Sequence, residues 1–534
     1  MQYSKSQKDI FKEIKNGNDI LINAVAGSGK TTTMLHSIKE CKLNNVLMTV
    51  FSKEMQKEME ESANKLGITA KIITTYGIGY SLLMQLIKSK KRKLNEYAVN
   101  NILYSLLNLS KDSQEQSKYV NLLSKKIRTL KLYDELDNEN NYDTILNELG
   151  INEEESKYKF LNLNKGRRHL KKIAKYYHTS LESGQIKEFD FIDMLYYPVL
   201  ADKKGIKLKI KKYDTVFIDE CQDLSAIQLH VVNMFIKEAN NFVAVGDPKQ
   251  SIFEFAGAKS DSFYSFRDIK PNVKELGLPL SYRCPKFTEE IVKNIFPDMN
   301  FKTNSKVMTG FNEDSDFDKV KKNSMVITRL TSTGLAASLK LISMRKKVYF
   351  KGHETMDEIY NILDKTDGNP IEINKLLEKE KTNVIKKLGL KGISRSIAVK
   401  TGAYTKLLDL EKCFIILFKV LKTSFRIRMT LSLIKENNKA DIIITTAHRS
   451  KGLQADNTFI LEEDFSKERV VKVFGGYSDQ ELNLKYVAYT RHKKELHLIK
   501  EFTDEKYKIK DVKVEWDKVF TNMTADLKKS KTRR

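Results

Sequence analysis

The sequence predicts an α/β protein in which parallel sheets with crossover helices are interrupted by two mainly helical segments. Short β-rich runs separated by helical patterns recur in residues 19–87, in about 186–300 and in about 440–500, and this alternation favours parallel sheets. The stretches between these regions are rich in Lys, Asn and Glu and carry leucines at helical spacing, which predicts inserted helices.

The predicted strands are short apolar runs that end in polar or small residues. They are DILINA (19–24), NVLMTVF (45–51), DTVFIDE (214–220), NFVAVGD (241–247), DIIITTA (441–447) and NTFILEED (457–464).

Two segments predict helical insertions, residues 88–185 and 353–440. Runs such as VNNILYSLLNL (99–109) and TMDEIYNILDK (355–365) place apolar side chains on one helical face. A chain of 534 residues also exceeds the roughly 250–300 residues at which a single core stops growing, so several domains are expected.

The chain is strongly basic, with 94 Lys and Arg against 69 Asp and Glu and a net charge of +25. A protein of this charge is expected to contact a polyanion, most often nucleic acid. Codon bias toward Lys, Asn and Ile also contributes to such a composition. The basic run KSKKRK (88–93) and the tail LKKSKTRR (527–534) are therefore interpreted either as solvated segments or as phosphate contacts.

Four cysteines lie far apart, which predicts reduced thiols rather than a metal site. The first residues contain no apolar signal core, and no apolar run approaches the roughly 20 residues that span a bilayer. We expect no membrane contact and a cytoplasmic location, or the host cytoplasm or nucleus if the protein is viral.

The run AVAGSGKT (24–31) predicts a phosphate-binding loop in which Ala24 replaces the usual first glycine. A predicted strand precedes it and a predicted helix follows, as such a loop requires. Lys30 would neutralise the β- and γ-phosphates and Thr31 would bind Mg²⁺. The alternative is a glycine-rich turn with a surface lysine. The candidate nucleotide-binding residues of this loop are Ala26, Gly27, Ser28, Gly29, Lys30, Thr31 and Thr32.

The run TVFIDECQD ends an apolar strand in adjacent carboxylates, Asp219 and Glu220. Asp219 is suited to hold Mg²⁺ through water, and Glu220 to polarise the attacking water as a base. Acidic residues also end strands without any catalytic role. Because both elements occur in order on their expected strands, they predict an ATP or GTP hydrolase core.

Together, AVAGSGKT and FIDECQD resemble the UvrD/Rep-like branch of the superfamily 1 DNA helicases. The resemblance continues through an ordered series of motifs in both sheet regions, with VGDPKQSIFEFAGA (245–258) the most specific of them. It implies an α/β fold of two RecA-like parallel-sheet motor domains with two mainly helical inserted subdomains.

The resemblance implies further nucleotide contacts. Gln7 would read the adenine edge and Tyr282 would stack on adenine. Gln250 would contact the γ-phosphate or its water, while Arg283 and Arg491 would reach the γ-phosphate as cationic fingers. Gly452 and Gln454 of the fifth motif complete the predicted nucleotide contacts. With Lys30 and Glu220, the predicted catalytic residues are therefore Gln250, Arg283 and Arg491.

The resemblance also implies contacts to single-stranded DNA. Aromatic side chains can stack on bases without reading sequence. Several positions depart from the family pattern: Tyr76 stands where histidine is usual, Ala256 where arginine is usual, and Gln454 and Ala455 where glutamate and an aromatic residue are common. For His448, local hydrogen bonding and coupling of the ATP site to DNA stay open as alternatives. The candidate DNA-binding residues are Phe51, Lys53, Tyr76, Phe253, Phe255 and His448.

The resemblance implies two motor domains, each interrupted by an insertion, and a C-terminal tail. Residues 1–87 and 186–278 form the ATP-binding motor domain, 279–352 and 441–510 form the second motor domain, 88–185 and a reduced 353–440 are the inserted subdomains, and 511–534 form a basic tail.

The implied function is an ATP- and Mg²⁺-dependent DNA helicase that moves 3′→5′ on single strands and on 3′-tailed duplexes. The alternative is a single-strand-stimulated translocase that remodels protein–DNA complexes without unwinding. A replication, repair or nuclease partner stays open. An RNA substrate is disfavoured but also stays open, because base stacking alone ignores the 2′-hydroxyl.

Overall fold

A computed structural model describes residues 2–90, 92–128, 138–151, 156, 158–252, 261–387, 402–436, 440–474 and 478–500. The chain divides into two compact units, of which the first ends at Pro279 and the second begins at Leu280. Phe253, Phe255 and the predicted basic tail lie outside the described residues. The finer division into four domains stays a prediction.

The first unit contains a sheet of six parallel strands in the order β3-β2-β6-β7-β1-β8. Two further short strands, β4 and β5, pair with each other. The strands are β1 (Ile20–Ala24), β2 (Val46–Val50), β3 (Lys71–Thr74), β4 (Lys93–Leu94), β5 (Glu188–Phe189), β6 (Thr215–Ile218), β7 (Asn241–Gly246) and β8 (Lys274–Leu278).

Helices cover both faces of this sheet and also make up the first insertion. They are α1 (Lys5–Lys15), α2 (Lys30–Glu40), α3 (Lys53–Leu66), α4 (Thr75–Leu86), α5 (Ala98–Leu106), α6 (Gln114–Arg128), α7 (Tyr142–Glu148), α8 (Leu163–Ser183), α9 (Asp193–Lys203) and α10 (Ala226–Glu238).

Successive side chains of a strand point to opposite faces of the sheet, and the clusters on the two faces follow this alternation. Ile20 and Ile22 belong to a hydrophobic cluster with residues of α1 to α3. Leu21, between them, belongs to a second cluster with residues of α4, α9 and α10. This second cluster also contains the apolar residues of α5 to α8, so the first helical insertion packs in continuity with the sheet.

The second unit contains another sheet of six parallel strands, in the order β11-β16-β15-β12-β14-β13. The strands of this unit are β9 (Leu280–Ser281), β10 (Lys302–Thr303), β11 (Phe311–Asn312), β12 (Ser324–Thr328), β13 (Val348–Lys351), β14 (Ile442–Thr446), β15 (Ala455–Leu461) and β16 (His492–Ile499).

The helices of the second unit include those of the second predicted insertion. They are α11 (Thr288–Ile295), α12 (Thr331–Ser343), α13 (His353–Lys365), α14 (Pro370–Lys387), α15 (Gly402–Leu421), α16 (Ser424–Glu436), α17 (Ala447–Ser450), α18 (Lys467–Phe474) and α19 (Asp479–Tyr489).

The second insertion is joined to the sheet of its unit by packing and by hydrogen bonds. Apolar residues of α13 to α16 share one cluster with strand residues such as Phe350 and Phe459. Asp409 of α15 accepts hydrogen bonds from the backbone N–H groups of Thr331 and Ser332 at 2.8 and 3.0 Å. These are orphan donors of the first turn of α12, so an insertion helix caps a helix of the sheet layer.

The predicted α/β class with parallel sheets is confirmed, and each of the six predicted apolar runs contains a strand. No helix within the described ranges combines the length and the apolar character needed to cross a bilayer.

Candidate functional site

The phosphate loop connects β1 to α2. Ala24 is the last residue of β1, and because strand backbone has negative φ, the position needs no glycine. Gly27 and Gly29 do adopt positive φ, 72° and 76°. Gly29 is the N-cap of α2 and provides no side-chain cap, so the first-turn N–H groups are available to a phosphate. Ser28 Oγ is buried without a hydrogen-bond partner among the described residues.

Lys30 lies against the carboxylate of Glu220. Its Nζ is 2.7 Å from Oε1 and 2.8 Å from Oε2, and both side chains are largely buried. Burial acts to lower the pKa of Lys30, but the nearby Glu220, Asp219 and Asp247 outweigh burial and raise it. Lys30 is therefore a fixed cation, for which nucleotide phosphates would compete with Glu220.

Asp219 fits a role in holding Mg²⁺. Its Oδ1 accepts a hydrogen bond from Glu220 N at 2.9 Å, whereas Oδ2 is buried without a hydrogen-bond partner among the described residues. Burial, reinforced by the neighbouring Glu220 charge, raises the pKa of Asp219 to about 7. A cation at this carboxylate would favour its ionised form. Mg²⁺ needs only one or two protein oxygens besides phosphates and water, and the Asp219 carboxylate and the Thr31 hydroxyl are such oxygens.

Glu220 has a backbone conformation that is rare for its residue type. Its φ is +50°, in the left-handed region, which costs on the order of 1–3 kcal/mol unless the surroundings fix it. Its carboxylate is held by Lys30 and by the Gln222 side chain, whose Nε2 donates to Oε2 at 2.7 Å. The strain is thus located at the residue predicted to be the base.

A chain of hydrogen bonds joins Glu220 to Gln250 through two residues that the sequence did not single out. The Gln222 side chain also accepts from Asp247 N at 3.0 Å. The buried Asp247 carboxylate in turn accepts from Gln250 Nε2 at 2.7 Å. Gln222 and Asp247 therefore connect the predicted base to the predicted sensor of the γ-phosphate.

Gly246 makes room for this network. A Cβ atom there would lie 2.4 Å from Gln222 Oε1 and 2.8 Å from Cys221 Sγ. We expect Gly246→Ala to displace the Gln222 amide, to cost about 1–3 kcal/mol of stability through overpacking, and to reduce the ATP turnover number at least tenfold.

The matched control is Gly277→Ala, on β8 of the same sheet, where the nearest atoms to an added Cβ are 3.9 Å away. Steady-state ATPase rates and thermal midpoints of both variants provide the comparison. Equal turnover in the two variants would contradict a functional role for the Gln222 bridge.

Gln7 is buried on α1 beside the first turn of α2. Its Nε2 donates to Thr33 Oγ1 at 3.0 Å, and its Oε1 accepts from Ser4 N at 3.0 Å. Each atom can make one more hydrogen bond, because an amide nitrogen has two protons and an amide oxygen two lone pairs. That remaining donor and acceptor match the adenine edge.

Two of the predicted DNA-binding aromatics lie at the same edge of the sheet as the phosphate loop. Phe51 follows β2 and Tyr76 follows β3, and these strands pair in register. Phe51 is 38% exposed and Tyr76 is half-buried. Lys53 is exposed at the start of α3, with its Nζ 3.4 Å from Gln56 Oε1.

The structure adds two exposed aromatics, Phe191 and Tyr80, to this surface. Asp190 and Asp193 cap the start of α9 reciprocally, since each carboxylate accepts from the other's backbone N–H at 3.0 Å. The cap presents Phe191, 53% exposed, edge-on to Tyr76 with ring centroids 6.3 Å apart. Tyr80 lies one turn beyond Tyr76 on α4 and is 40% exposed. Phe191 lies in the run FDFIDML (189–195), whose sequence does not show which of its apolar side chains is exposed.

The two predicted arginine fingers meet at Thr490 in the second unit. Arg283 Nη1 donates to the Thr490 carbonyl at 3.2 Å, and Arg491 Nη2 donates to Thr490 Oγ1 at 3.2 Å. Arg491 is almost fully buried, and its Nε donates to the Val487 carbonyl at 2.7 Å. Tyr282, beside Arg283, is 47% exposed and therefore accessible to a flat ring.

His492 links the segments that carry these arginines. Its Nε2 is 2.9 Å from Thr288 Oγ1, and its ring stacks on Phe287 at 5.3 Å between centroids. Burial, with added repulsion from Arg283 and Arg491, lowers the pKa of His492 to about 3. A neutral imidazole therefore fixes both segments without adding charge beside the arginines.

The fifth-motif residues lie at the end of β14 and before β15. His448 is on the short helix α17, where burial, followed by Arg329 and Arg449, lowers its pKa to about 3, so it is neutral near pH 7. Gly452 has φ of 82° in an exposed turn, and Gln454 is exposed. The predicted nucleotide contacts of Gly452 and Gln454, and the predicted DNA contact of His448, therefore remain predictions.

The profile of a protein family matches residues 3–271, which is half of the chain; its description is UvrD/REP helicase N-terminal domain. The chain belongs to the UvrD/REP helicase family. The family membership predicted from the motifs is thereby confirmed, together with the RecA-like character of its parallel-sheet domains.

Several curated helicases are similar to this chain. The ATP-dependent DNA helicase Rep of Buchnera aphidicola (subsp. Acyrthosiphon pisum) is 26% identical over 350 residues, covering 60% of this chain and 51% of that protein. The F-box DNA helicase protein 1 of Schizosaccharomyces pombe is 22% identical over 538 residues, covering 93% of this chain and 57% of that protein. The chain spans about half the length of the curated relatives it matches.

The family match covers only part of the predicted site. It includes the phosphate loop, the Asp219–Glu220 pair and Gln250, all in the first unit. Arg283, His448 and Arg491 lie beyond residue 271, so their roles depend on motif resemblance and on the geometry at Thr490.

Proposed function

We propose that this member of the UvrD/REP family is an ATP-dependent DNA helicase that moves 3′→5′ on single-stranded DNA and unwinds duplex. The observation that carries the proposal is the cluster of Lys30, Asp219 and Glu220, joined by Gln222 and Asp247 to Gln250. Phosphoryl transfer requires mainly positioned cations and an oriented water, and these residues supply both.

Each group has a distinct task in hydrolysis. Lys30 neutralises the β- and γ-phosphate oxygens. Thr31 and Asp219 would hold Mg²⁺, which would supply further charge neutralisation. Glu220 accepts the proton of the attacking water once the nucleotide phosphates have replaced its carboxylate as the ion-pair partner of Lys30. Gln250 orients that water or the γ-phosphate and transmits its state through Asp247 and Gln222.

The surface aromatics support a single-stranded substrate. Phe51, Tyr76, Phe191 and Tyr80 lie in the first unit and are exposed or half-buried. Base–aromatic stacking contributes about 1–3 kcal/mol per base and tolerates any sequence, which suits a motor that must pass every base. The 3′→5′ direction comes from the family resemblance alone.

A second candidate function is a translocase that removes proteins from DNA without separating strands. The second insertion favours this candidate, because it is small and its helices share one apolar cluster with the sheet of the second unit. An insertion fixed in this way has less freedom to rearrange around a duplex.

The deciding experiment compares unwinding of a duplex with a 3′ single-stranded tail and one with a 5′ tail, with ATP and Mg²⁺ present. The Lys30→Ala variant is the control. Unwinding only from the 3′ tail is expected, and unwinding only from the 5′ tail would refute the direction. Single-strand-stimulated ATP hydrolysis without unwinding from either tail would favour the translocase.

A further inference from the structure

A buried hydrogen bond joins the helix that follows the predicted base to the helix that carries Tyr76. Gln228 Nε2, on α10, donates to the Oγ1 of Thr75, the first residue of α4, at 3.2 Å. Gln228 is 5% exposed and Thr75 is 1% exposed. Because the surroundings are shielded from water, this hydrogen bond is electrostatically stronger than the same bond on the surface.

The Gln228 amide is also tied to the turn that follows Glu220. Its Oε1 accepts from Ser225 N at 3.0 Å and from Ser225 Oγ at 2.9 Å, which fixes the start of α10. The turn begins at Glu220, whose carbonyl accepts from Asp223 N at 2.9 Å. One residue separates Asp223 from Ser225, so a change in the backbone at Glu220 displaces the start of α10 and the amide bonded to it.

At the other end of the bond, Thr75 belongs to the helix start that positions Tyr76. Thr74 Oγ1 caps α4 by accepting from Gly77 N at 3.1 Å. Tyr76 follows Thr75 directly and lies edge-on to Phe191. The Gln228 bond therefore ends one residue away from the predicted stacking surface.

Helices α4 and α9 are packed too closely to move independently. A Cβ atom at Gly79 of α4 would lie 2.6 Å from the carbonyl oxygen of Met194, in the first turn of α9. Such a close approach leaves little room for one helix to slide on the other. A base that stacked on Tyr76 and Phe191 would thus displace the start of α4 together with α9.

We infer that Gln228 is a positioning residue through which single-stranded DNA bound at Tyr76 accelerates ATP hydrolysis at Glu220. The inference rests on the proposed function, since it takes single-stranded DNA as the ligand and Glu220 as the base. Coupling between two sites requires an element whose arrangement both can bias. The turn at Glu220 is such an element, because its φ of +50° persists only while the surroundings fix it.

Thr75→Val tests the bond with little change in side-chain size, because it removes only the hydroxyl that accepts from Gln228. ATP turnover of the full chain is measured without DNA and with a saturating single-stranded oligothymidylate. The ratio of the two rates is expected to fall about five- to tenfold, the lower end of typical coupling between sites. The rate without DNA and the affinity for the oligonucleotide without nucleotide should stay near the parent values.

Two further threonine substitutions serve as controls. Thr75→Ser keeps a hydroxyl at the same place and should keep the parent ratio. Thr430→Val removes another buried hydroxyl, on α16 in the second unit, which donates to the Arg426 carbonyl at 2.8 Å. Thr430 is as buried as Thr75, at 1% exposed, so this variant measures the effect of losing a buried hydroxyl elsewhere and should leave the ratio unchanged.

Gln228→Met removes the other half of the bond at a similar volume. If the bond couples the two sites, the ratio falls by about the same factor as in Thr75→Val. The double variant should then lose no more than either single variant, since both substitutions remove one interaction.

An unchanged ratio in Thr75→Val, an equal loss in Thr75→Ser or Thr430→Val, or losses that multiply in the double variant would overturn the inference. So would a rate without DNA that falls by the same factor as the rate with DNA, because a merely structural hydroxyl would have that effect. A parent chain whose ATPase does not respond to single-stranded DNA would refute the proposed function together with the inference. With a responsive parent, each of the contrary outcomes refutes the inference alone.

Discussion

The Glu220→Gln variant is expected to hydrolyse ATP on the order of 10²- to 10⁴-fold more slowly than the parent chain, the range that a general base contributes. Glutamine keeps an oxygen that can accept from Lys30 and Gln222, so the hydrogen bonds at 2.8 and 2.7 Å have a substitute. The carboxylate that accepts the proton of water is lost. ATP and single-stranded DNA should therefore still bind with affinities close to those of the parent.

Lys30→Ala should also abolish turnover, but for a different reason and with a different signature. It removes the cation that lies beside Glu220, Asp219 and Asp247. Without it, the site repels phosphate, so affinity for ATP should fall along with turnover, while single-strand binding is kept.

Single-turnover ATPase rates and equilibrium ATP binding separate these two signatures. Glu238→Gln, an exposed glutamate at the end of α10, is the matched control for charge. A Glu220→Gln variant that hydrolyses ATP within tenfold of the parent rate would show that Glu220 is not the base.

The nucleotide-binding part of the site is predictable from sequence because it is local. A strand, a glycine turn and a helix within residues 20–40 are enough to place Gly27, Gly29 and Lys30. Ala24 agrees with this pattern because it ends a strand and needs no positive φ. The fold class is predictable for a related reason, since each of the six predicted strands is visible in the sequence as a short apolar run.

The bridge from Glu220 to Gln250 is not predictable in this way. Gln222 meets Asp247 because β6 and β7 are neighbours in the sheet, with Ile218 opposite Ala244. No local pattern reveals which strands will be neighbours. In the sequence, Gly246 is an ordinary residue at the end of a strand. Only the structure shows that neighbouring side chains leave no room for a Cβ atom there.

The same limit applies to the insertions. Their helices are visible as leucine periods, but the amphipathic pattern does not say which surface covers each apolar face. In the structure, both insertions use the apolar faces of the sheets themselves. Asp409 capping α12 is a contact across 77 and 78 residues, beyond the reach of any sequence motif.

Arg491→Ala is expected to reduce ATP turnover by about 10³-fold or more, the contribution typical of an arginine finger, with little change in ATP affinity. The reason is that a finger stabilises charge that develops in the transition state rather than in bound ATP. The burial of Arg491 and its bond to the Val487 carbonyl at 2.7 Å also fit a structural arginine. The measurement must therefore separate the two roles.

Thr490→Val provides that separation. It removes the hydroxyl that Arg491 Nη2 contacts at 3.2 Å but keeps the carbonyl that Arg283 contacts. The hydroxyl's own donation to the Tyr486 carbonyl at 2.8 Å is lost as well. Loss of the Arg491 bond, about 1–1.5 kcal/mol, should lower the turnover number roughly tenfold and leave KM near its parent value. Arg428→Ala, which removes an arginine paired with Asp364 at 2.7 Å in the second insertion, should leave turnover unchanged.

The pattern across these variants distinguishes a finger from a structural arginine. If Arg491 acts on the nucleotide, turnover is unchanged in Arg428→Ala, lower in Thr490→Val and lowest in Arg491→Ala, while the ATP affinity of all three stays near the parent value. If Arg491 only holds the end of α19, ATP affinity falls together with turnover. The thermal midpoint falls under either role, because Arg491→Ala removes the buried bond from Nε to the Val487 carbonyl in both cases. Equal losses of affinity and turnover in Arg491→Ala would therefore assign the residue to the fold rather than to the chemistry.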